Sequence, residues 1–341
     1  MTSVSAHDAR QNLAHLPVML GEVLDALAPQ TGDVILDGTF GAGGYSRAIL
    51  ERSNCKVIAV DRDPDAVFGG QELVAESAGR LTLVNGAFSD MLQIANDAGI
   101  EKLQGIVLDI GVSSMQLDEA ARGFSFMRDG PLDMRMSMAG KSAADVVAQL
   151  PPDALANLIF VLGDEPKSRA IARAIVTARA EQPILTTTAL VTAIERATGP
   201  QRAHMRTHPA TRTFQALRIY VNGELDQLAA ALDAAEHLLA VGGRLVVVTF
   251  HSLEDRIVKR FFAQRSGNVP SQSRHVLVVN ELPPASFDLP FKGHINPSEA
   301  ETVANPRSRS AKLRAGIRNA SAPHAFDAVA LGVPMLSRGR H

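Results

Sequence analysis

Apolar residues along this chain follow two different rhythms. Through the first third, short unbroken apolar runs at 34–36, 57–60, 81–84 and 106–108 alternate with segments of helical spacing that begin near Val18, Tyr45, Pro64 and Ser89. Runs this short suit strands covered on both faces rather than helices. Strands that alternate with helices predict a parallel sheet between helical layers. The strongest strand signal, 244–250, follows Gly242 and Gly243, and two more β-like runs lie at 275–279 and 312–317. Seven strands in all fit a doubly wound α/β fold.

The second rhythm occupies 117–211, a methionine- and alanine-rich stretch with no strand-like run. Its apolar spacing predicts helices at 143–149, 152–162, 167–180 and 187–198, with Ser142 and Thr186 or Thr187 as N-caps. An all-helical block that interrupts a parallel sheet after its fourth strand is expected to be an inserted domain. The chain therefore divides into a core at 1–116 and 212–318, an insert at 117–211, and a tail at 319–341. That tail, rich in Ala, Pro and Arg, is expected to be poorly ordered.

The first strand ends in Asp37, and a glycine cluster follows at Gly41, Gly43 and Gly44 before a helical segment from Tyr45 to Glu51. The second strand closes on Asp61. Strand, glycine turn, helix, strand and acid make a nucleotide-binding βαβ unit. An acid at the tip of the second strand is placed to accept hydrogen bonds from both hydroxyls of a ribose. Two adenosine cofactors use this layout. NAD wants G-x-G-x-x-G, with the pyrophosphate on the helix N-terminus. Here Ser46 takes the position of the third glycine. Asp37 before the loop suits S-adenosylmethionine, where an acid at the first strand's end faces the methionine part. A methyl donor is the better reading.

Composition changes the picture little. Of 341 residues, 46% are hydrophobic and 21% charged, as in an ordinary globular protein with a substantial core, and the net charge of −2 names no partner. Distribution says more. Between Arg202 and Arg218 lie four arginines (Arg202, Arg206, Arg212, Arg218) and two histidines with no acid, and from Pro306 onward seven Lys or Arg stand against Asp327. Concentrated basic segments can present a face to a polyanion. A single cysteine, Cys55, excludes an internal disulfide and suits a reducing compartment. The start of the chain lacks a signal-peptide pattern, and no apolar run is long enough to span a membrane, so a cytoplasmic protein is expected.

Two further motifs can carry chemistry. After the fourth strand comes Asp109-Ile-Gly111-Val-Ser113-Ser114-Met-Gln116, and ligands of open α/β sheets sit beyond the strands' carboxyl ends, so Asp109 should face the cofactor. The fifth strand runs into His251-Ser252-Leu-Glu254-Asp255-Arg256 and a helix. Ser252 as N-cap with Asp255 at N3 forms an expected capping box. His251 and Arg256 remain as candidate substrate contacts. Metal-ligand spacing is absent, and so is the G-x-S-x-G elbow of a serine hydrolase.

Taken together, His15–Leu20, Asp37–Ser46, Asp61–Pro64, Asp109–Gln116, Arg122–Phe126, Thr213–Leu225 and His251–Arg256 resemble the bacterial 16S ribosomal RNA cytosine-N4 methyltransferase family, MraW or RsmH. The match runs in order to about Arg318. It implies a class I methyltransferase core with a helical insert, using S-adenosylmethionine on a cytidine of the small-subunit decoding region. Cofactor contacts then fall on Gly43, Gly44, Tyr45, Asp61, Phe88, Asp109 and Gln116. Many members carry His at the position of Tyr45, so a contact there is expected through backbone. Phe88, following the third strand, can pack against adenine. Asp109 is the candidate catalytic residue, as an acceptor for the N–H groups of the target amine. Amino-methylating DNA enzymes carry a Pro-Pro-aromatic box here, whereas this chain has Asp109-Ile-Gly-Val.

An RNA methyltransferase is thus the leading reading, with 16S ribosomal RNA, within the small subunit, as partner, no metal and no membrane. A homodimer is left open. A small-molecule methyltransferase has no use for an acid-free arginine segment, an NAD oxidoreductase should keep the third glycine, and a non-catalytic module should bind cofactor without transferring a methyl group.

Overall fold

A computed structural model describes residues 17–201, 207–268 and 283–336. The described chain falls into two compact units, one from the chain up to Gly111 together with Leu225–Val333, the other from Val112–Glu224 and the residues from Pro334 on.

The first unit is built on seven strands: β1 (Val34–Asp37), β2 (Lys56–Asp61), β3 (Leu81–Asn85), β4 (Leu103–Asp109), β5 (Leu239–Thr249), β6 (Phe287–Asp288) and β7 (Lys312–Arg318). Their order across the sheet is β3-β2-β1-β4-β5-β7-β6. The first five run parallel, and β7 is antiparallel to both β5 and β6. This is the doubly wound α/β sheet expected, with the class I methyltransferase topology that the resemblance implies. Strand centres such as Leu36, Ile106 and Val247 are almost fully buried. Burial on both faces is why these runs read as continuous rather than alternating.

Two details differ from the sequence reading. β5 starts at Leu239, and its register against β4 shifts between Leu103 and Gly105. The run at 275–279 lies outside the described residues, and the strand paired beside β7 is Phe287–Asp288.

In the second unit, helices occupy Ala143–Gln149, Pro152–Gly163, Ser168–Glu181, Thr187–Thr198 and Thr211–Asn222. Ser142 and Thr186 cap theirs as expected, accepting from Asp145 N and Ala189 N. The last of these helices groups with the insert, although 212 onward was expected to belong to the core. Asn222 shows why: its carboxamide donates to the Met134 carbonyl at 2.7 Å and accepts from Met136 N at 2.9 Å.

Part of the tail is also ordered. Ala328–Leu331 is helical, Leu331 and Val333 are buried, and Gln264 donates to the Ala330 carbonyl. Its short apolar run is what a compositional reading overlooked. No helix among the described residues is long and apolar enough to cross a membrane.

Candidate functional site

The carboxyl ends of β1, β2 and β4 each finish in an aspartate, and backbone bonds tie these ends together. β1 runs through Asp37 into Gly38, where an added Cβ would come within 2.5 Å of Leu108 and 3.1 Å of the Phe88 Cβ. Only glycine lets the ends of the first, third and fourth strands approach this closely. The turn then reaches Gly43, the N-cap of helix Gly44–Arg52, at φ 78° and ψ 13°. That left-handed conformation strains other residues, and a Cβ would also lie 2.8 Å from the Phe40 ring. No side chain caps this helix start, and no acid occupies its first turn.

Asp61 pins the turn from β2. Its Oδ2 accepts from Gly41 N at 2.7 Å and its Oδ1 from Asp63 N at 2.8 Å. Burial raises its carboxyl above the ordinary value, and these two N–H groups work against the rise. Each oxygen has a second lone pair, so a ribose hydroxyl can still be accepted. The expected ribose role therefore has a structural companion: the same carboxylate shapes the glycine turn.

Tyr45 is used differently from a ligand contact. Its ring is buried in the core, and its hydroxyl donates to the Val18 carbonyl. Only its backbone is left for a bound molecule. Phe88 opens the short turn Phe88–Asp90 after β3 and is half-buried against Gly38.

Asp37 and Asp109 are the most perturbed acids. Asp37 is fully buried; Ser46 Oγ donates to its Oδ2 at 2.7 Å and Thr39 N to its Oδ1 at 3.1 Å. Burial lifts its pKa to about 6, against the Ser46 and Thr39 bonds and with a small push from Asp61. Asp109 is raised well above the ordinary range by burial, then by the charges of Asp37 and Glu254. Its backbone N–H donates to Thr39 Oγ1 at 2.7 Å. Its Oδ1 is buried and has no hydrogen-bond partner among the described residues. A buried acceptor left this way is expensive, and acids perturbed by burial in a cleft mark functional sites. Ser46 and Thr39, which hold the Asp37 carboxylate and, through Thr39 Oγ1, the Asp109 backbone, are not evident as such in the sequence; the replacement of the third fingerprint glycine by Ser46 is the available signal.

At the end of β5 the capping arrangement differs from expectation. The N-cap of helix Ser252–Arg265 is His251, and Glu254 is the N3 partner; Ser252 and Asp255 do not form the box. His251 Nδ1 accepts from Glu254 N at 3.4 Å, and Glu254 Oε2 accepts from Phe250 N and His251 N. The His251 Nε2 lies 2.8 Å from Glu254 Oε1, close enough for an ion pair but not aligned as a hydrogen bond. A His-x-x-Glu spacing was the overlooked signal. Asp255 instead holds Arg314 at 2.8 Å and Lys312 at 3.1 Å on β7. Arg256 is exposed.

In the second unit, Gln116 is buried as N3 of a capping box with Ser113. The arginine segment is divided in its roles. Arg202 and Arg206 lie outside the described residues. Arg212 is exposed and donates to the Asp164 carbonyl at 2.8 Å. Arg218 forms a fork with Glu224, Nε to Oε1 at 2.9 Å and Nη2 to Oε2 at 2.8 Å, with both side chains largely buried. Its charge is already balanced by a bidentate partner, which corrects its assignment as a phosphate contact.

The family model of the MraW methylases matches residues 12–318. A ribosomal RNA small subunit methyltransferase H from Azorhizobium caulinodans is 60% identical over 310 residues, covering 91% of this chain and 88% of that protein. One of the same name from a Methylobacterium species is 56% identical over 332 residues, covering 95% and 98%. A third, from Xanthobacter autotrophicus, is 58% identical over 310 residues, covering 91% and 89%.

Proposed function

Because the chain belongs to the MraW methylase family, we propose that it transfers a methyl group from S-adenosylmethionine to the exocyclic N4 of a cytidine in the decoding region of 16S ribosomal RNA. The observation that carries this reading is the buried Oδ1 of Asp109 at the end of β4, which has no hydrogen-bond partner among the described residues. It stands with Asp37 and Asp61 at the end of the sheet where α/β proteins bind ligands.

S-adenosylmethionine supplies a methyl group on a positively charged sulfur. The first unit offers what such a ligand needs: a tight glycine turn at Gly43 and Gly44, Asp61 for ribose hydroxyls, Phe88 for an adenine face, and buried acids for positive charge. A cation beside Asp37 and Asp109 favours their ionised forms and offsets what burial does to them. Gln116 enters the cofactor set on its motif alone.

The target amine is a weak nucleophile, because its lone pair is delocalised into the pyrimidine ring. As the N–C bond forms and the S–C bond breaks, nitrogen becomes more acidic and must give up a proton. An acceptor at Asp109 Oδ1 would hold an N–H in place, keep electron density on nitrogen and take the proton that nitrogen gives up. The base has to leave its stack to reach it, which favours single-stranded or loosened RNA. His251 acts as the helix cap that shapes the end of β5, and Arg256 is free to meet a phosphate. Arg202, Arg206 and Arg212 are further phosphate contacts. The assembled small subunit is the proposed substrate, and the cytoplasm its setting.

Nucleoside mass spectrometry of ribosomal RNA from cells lacking the protein tests this assignment. N4-methylated cytidine should fall and return on complementation; persistence at the normal level sinks the reading. Labelled methyl donor offered to free RNA and to assembled subunits separates the two substrates.

A further inference from the structure

Helix Ser168–Glu181 begins with an unusual run of positive charge. Lys167, Arg169 and Arg173 are all exposed, and their side chains make no hydrogen bond or ion pair among the described residues. Arg169 and Arg173 are one turn apart on the same face, where like charges repel. The first turn contains no acid. Glu165 offers no remedy: it is buried, and its Oε1 accepts the backbone N–H of Lys167 at 2.9 Å.

A fourth cation arrives from another helix. Arg212 donates to the carbonyl of Asp164, which closes helix Pro152–Gly163 in a left-handed conformation just before Lys167. Phe160, four residues before Asp164 and so on the same face of that helix, is 57% exposed. Three exposed cations stand at the start of one helix, a fourth is bonded to the turn before it, and an exposed aromatic lies on the preceding helix. They outnumber the exposed Asp164 of that turn and have the composition of a surface for single-stranded nucleic acid. The cations track the backbone, and the ring offers a stacking face to any base.

We propose that the turn 164–167 is an RNA-docking surface in which Lys167, Arg169, Arg173 and Arg212 meet phosphates and Phe160 stacks on an unpaired base. The proposal rests on the reading of the protein as an RNA methyltransferase. It concerns grip on the RNA strand, separate from cofactor binding.

The experiment is fluorescence-anisotropy titration of a labelled single-stranded RNA of decoding-region sequence, at several salt concentrations. The combined variant K167A/R169A/R173A should flatten the slope of log affinity against log salt by about 2 to 3, at roughly 0.7–0.9 for each cation removed. F160A should weaken binding by about tenfold with an unchanged slope, as loss of stacking does. Affinity for S-adenosylmethionine, measured by calorimetry, should stay at the wild-type value in both. R52A is the control, since Arg52 is an exposed cation of the first unit paired with Asp25; it should leave the slope unchanged. A combined variant with the wild-type slope overturns the surface alone, as does an equal effect of R52A. A wild type that binds cofactor but no RNA overturns the assigned function, and this surface with it.

Discussion

The two units handle charge in opposite ways. In the first, negative groups collect at the ends of β1, β2 and β4 and are withdrawn from solvent: Asp37 fully buried, Asp61 half-buried and held by two backbone N–H groups, Asp109 half-buried with one buried oxygen left over. In the second, positive groups collect at the surface, with Lys167, Arg169, Arg173 and Arg212 all exposed. Buried charge is felt strongly over short distances and barely screened by salt, whereas exposed charge is weak per contact, additive and salt-sensitive. The first arrangement suits a small cationic ligand held in one geometry. The second suits a long polyanion gripped at many points. The contrast makes separable claims: changes in the acid cluster should move ionisation, cofactor affinity or rate, according to which acid is changed, and changes on the basic surface should move salt dependence.

The largest expected effect falls on Arg218, a basic residue of the second unit that is largely buried rather than exposed. Arg218→Ala leaves the largely buried carboxylate of Glu224 without its guanidinium, and breaking such a pair costs about 3–5 kcal/mol. Urea denaturation should show this loss. A variant as stable as wild type would return Arg218 to the RNA-contacting set. Asp37 comes next, with the opposite sign. Its carboxyl ionises near pH 6 when folded and near 3.8 when unfolded. Between those values the unfolded chain loses its proton first, so the native state is penalised, fully so above pH 6. Asp37→Asn removes the penalty, and Ser46 can turn its hydroxyl to suit the amide. The variant should gain about 3 kcal/mol at about pH 8 and nothing at about pH 4 without cofactor. An equal change at both pH values would refute ionisation as the cause.

That asymmetry also explains which parts were legible in the sequence. The strand runs, the glycine turn and the helices of the insert follow from period and from residues with narrow backbone preferences, and they stand close to where they were expected. Helix Thr187–Thr198 matches its expected span. Side-chain partnership was harder to read. Arg212 and Arg218 look alike in a basic segment, yet one points to a carbonyl and the other is locked to Glu224, six residues on. The cap at His251 was misassigned because Ser252 is the stronger capping residue by type, while Glu254, three residues after the histidine, decided the geometry. Asp61 was expected to meet a ribose, but its hold on the glycine turn depends on backbone atoms that no side-chain pattern displays.

Within the acid cluster, Asp109→Asn keeps the shape and removes the charge. Transfer should slow by about 10²-fold in single-turnover measurement while cofactor affinity changes little. Wild-type rates would mean that a neutral side chain suffices there and that the proton leaves by another route. Asp61→Ala should weaken S-adenosylmethionine binding by about thirty- to a hundredfold, or about 2–3 kcal/mol, as charge-assisted hydrogen bonds are lost. Calorimetry showing unchanged affinity would reduce Asp61 to a support for the turn.

The smallest effect is the one that most directly tests the exposed half of the comparison. Arg212→Ala removes one surface cation and one bond to the Asp164 carbonyl. If the cation meets a phosphate, the salt slope of RNA binding should fall by about 0.7 to 1, with affinity at low salt only a few-fold weaker. Loss of the carbonyl bond alone would instead lower thermal stability slightly and leave the slope untouched. Arg212→Lys separates these outcomes, because it keeps the charge while giving up the planar guanidinium and its reach. A slope restored by lysine assigns the effect to charge. A slope that stays at the wild-type value in the alanine variant assigns Arg212 to closing its neighbouring helix, and the basic face then has to act through its other cations.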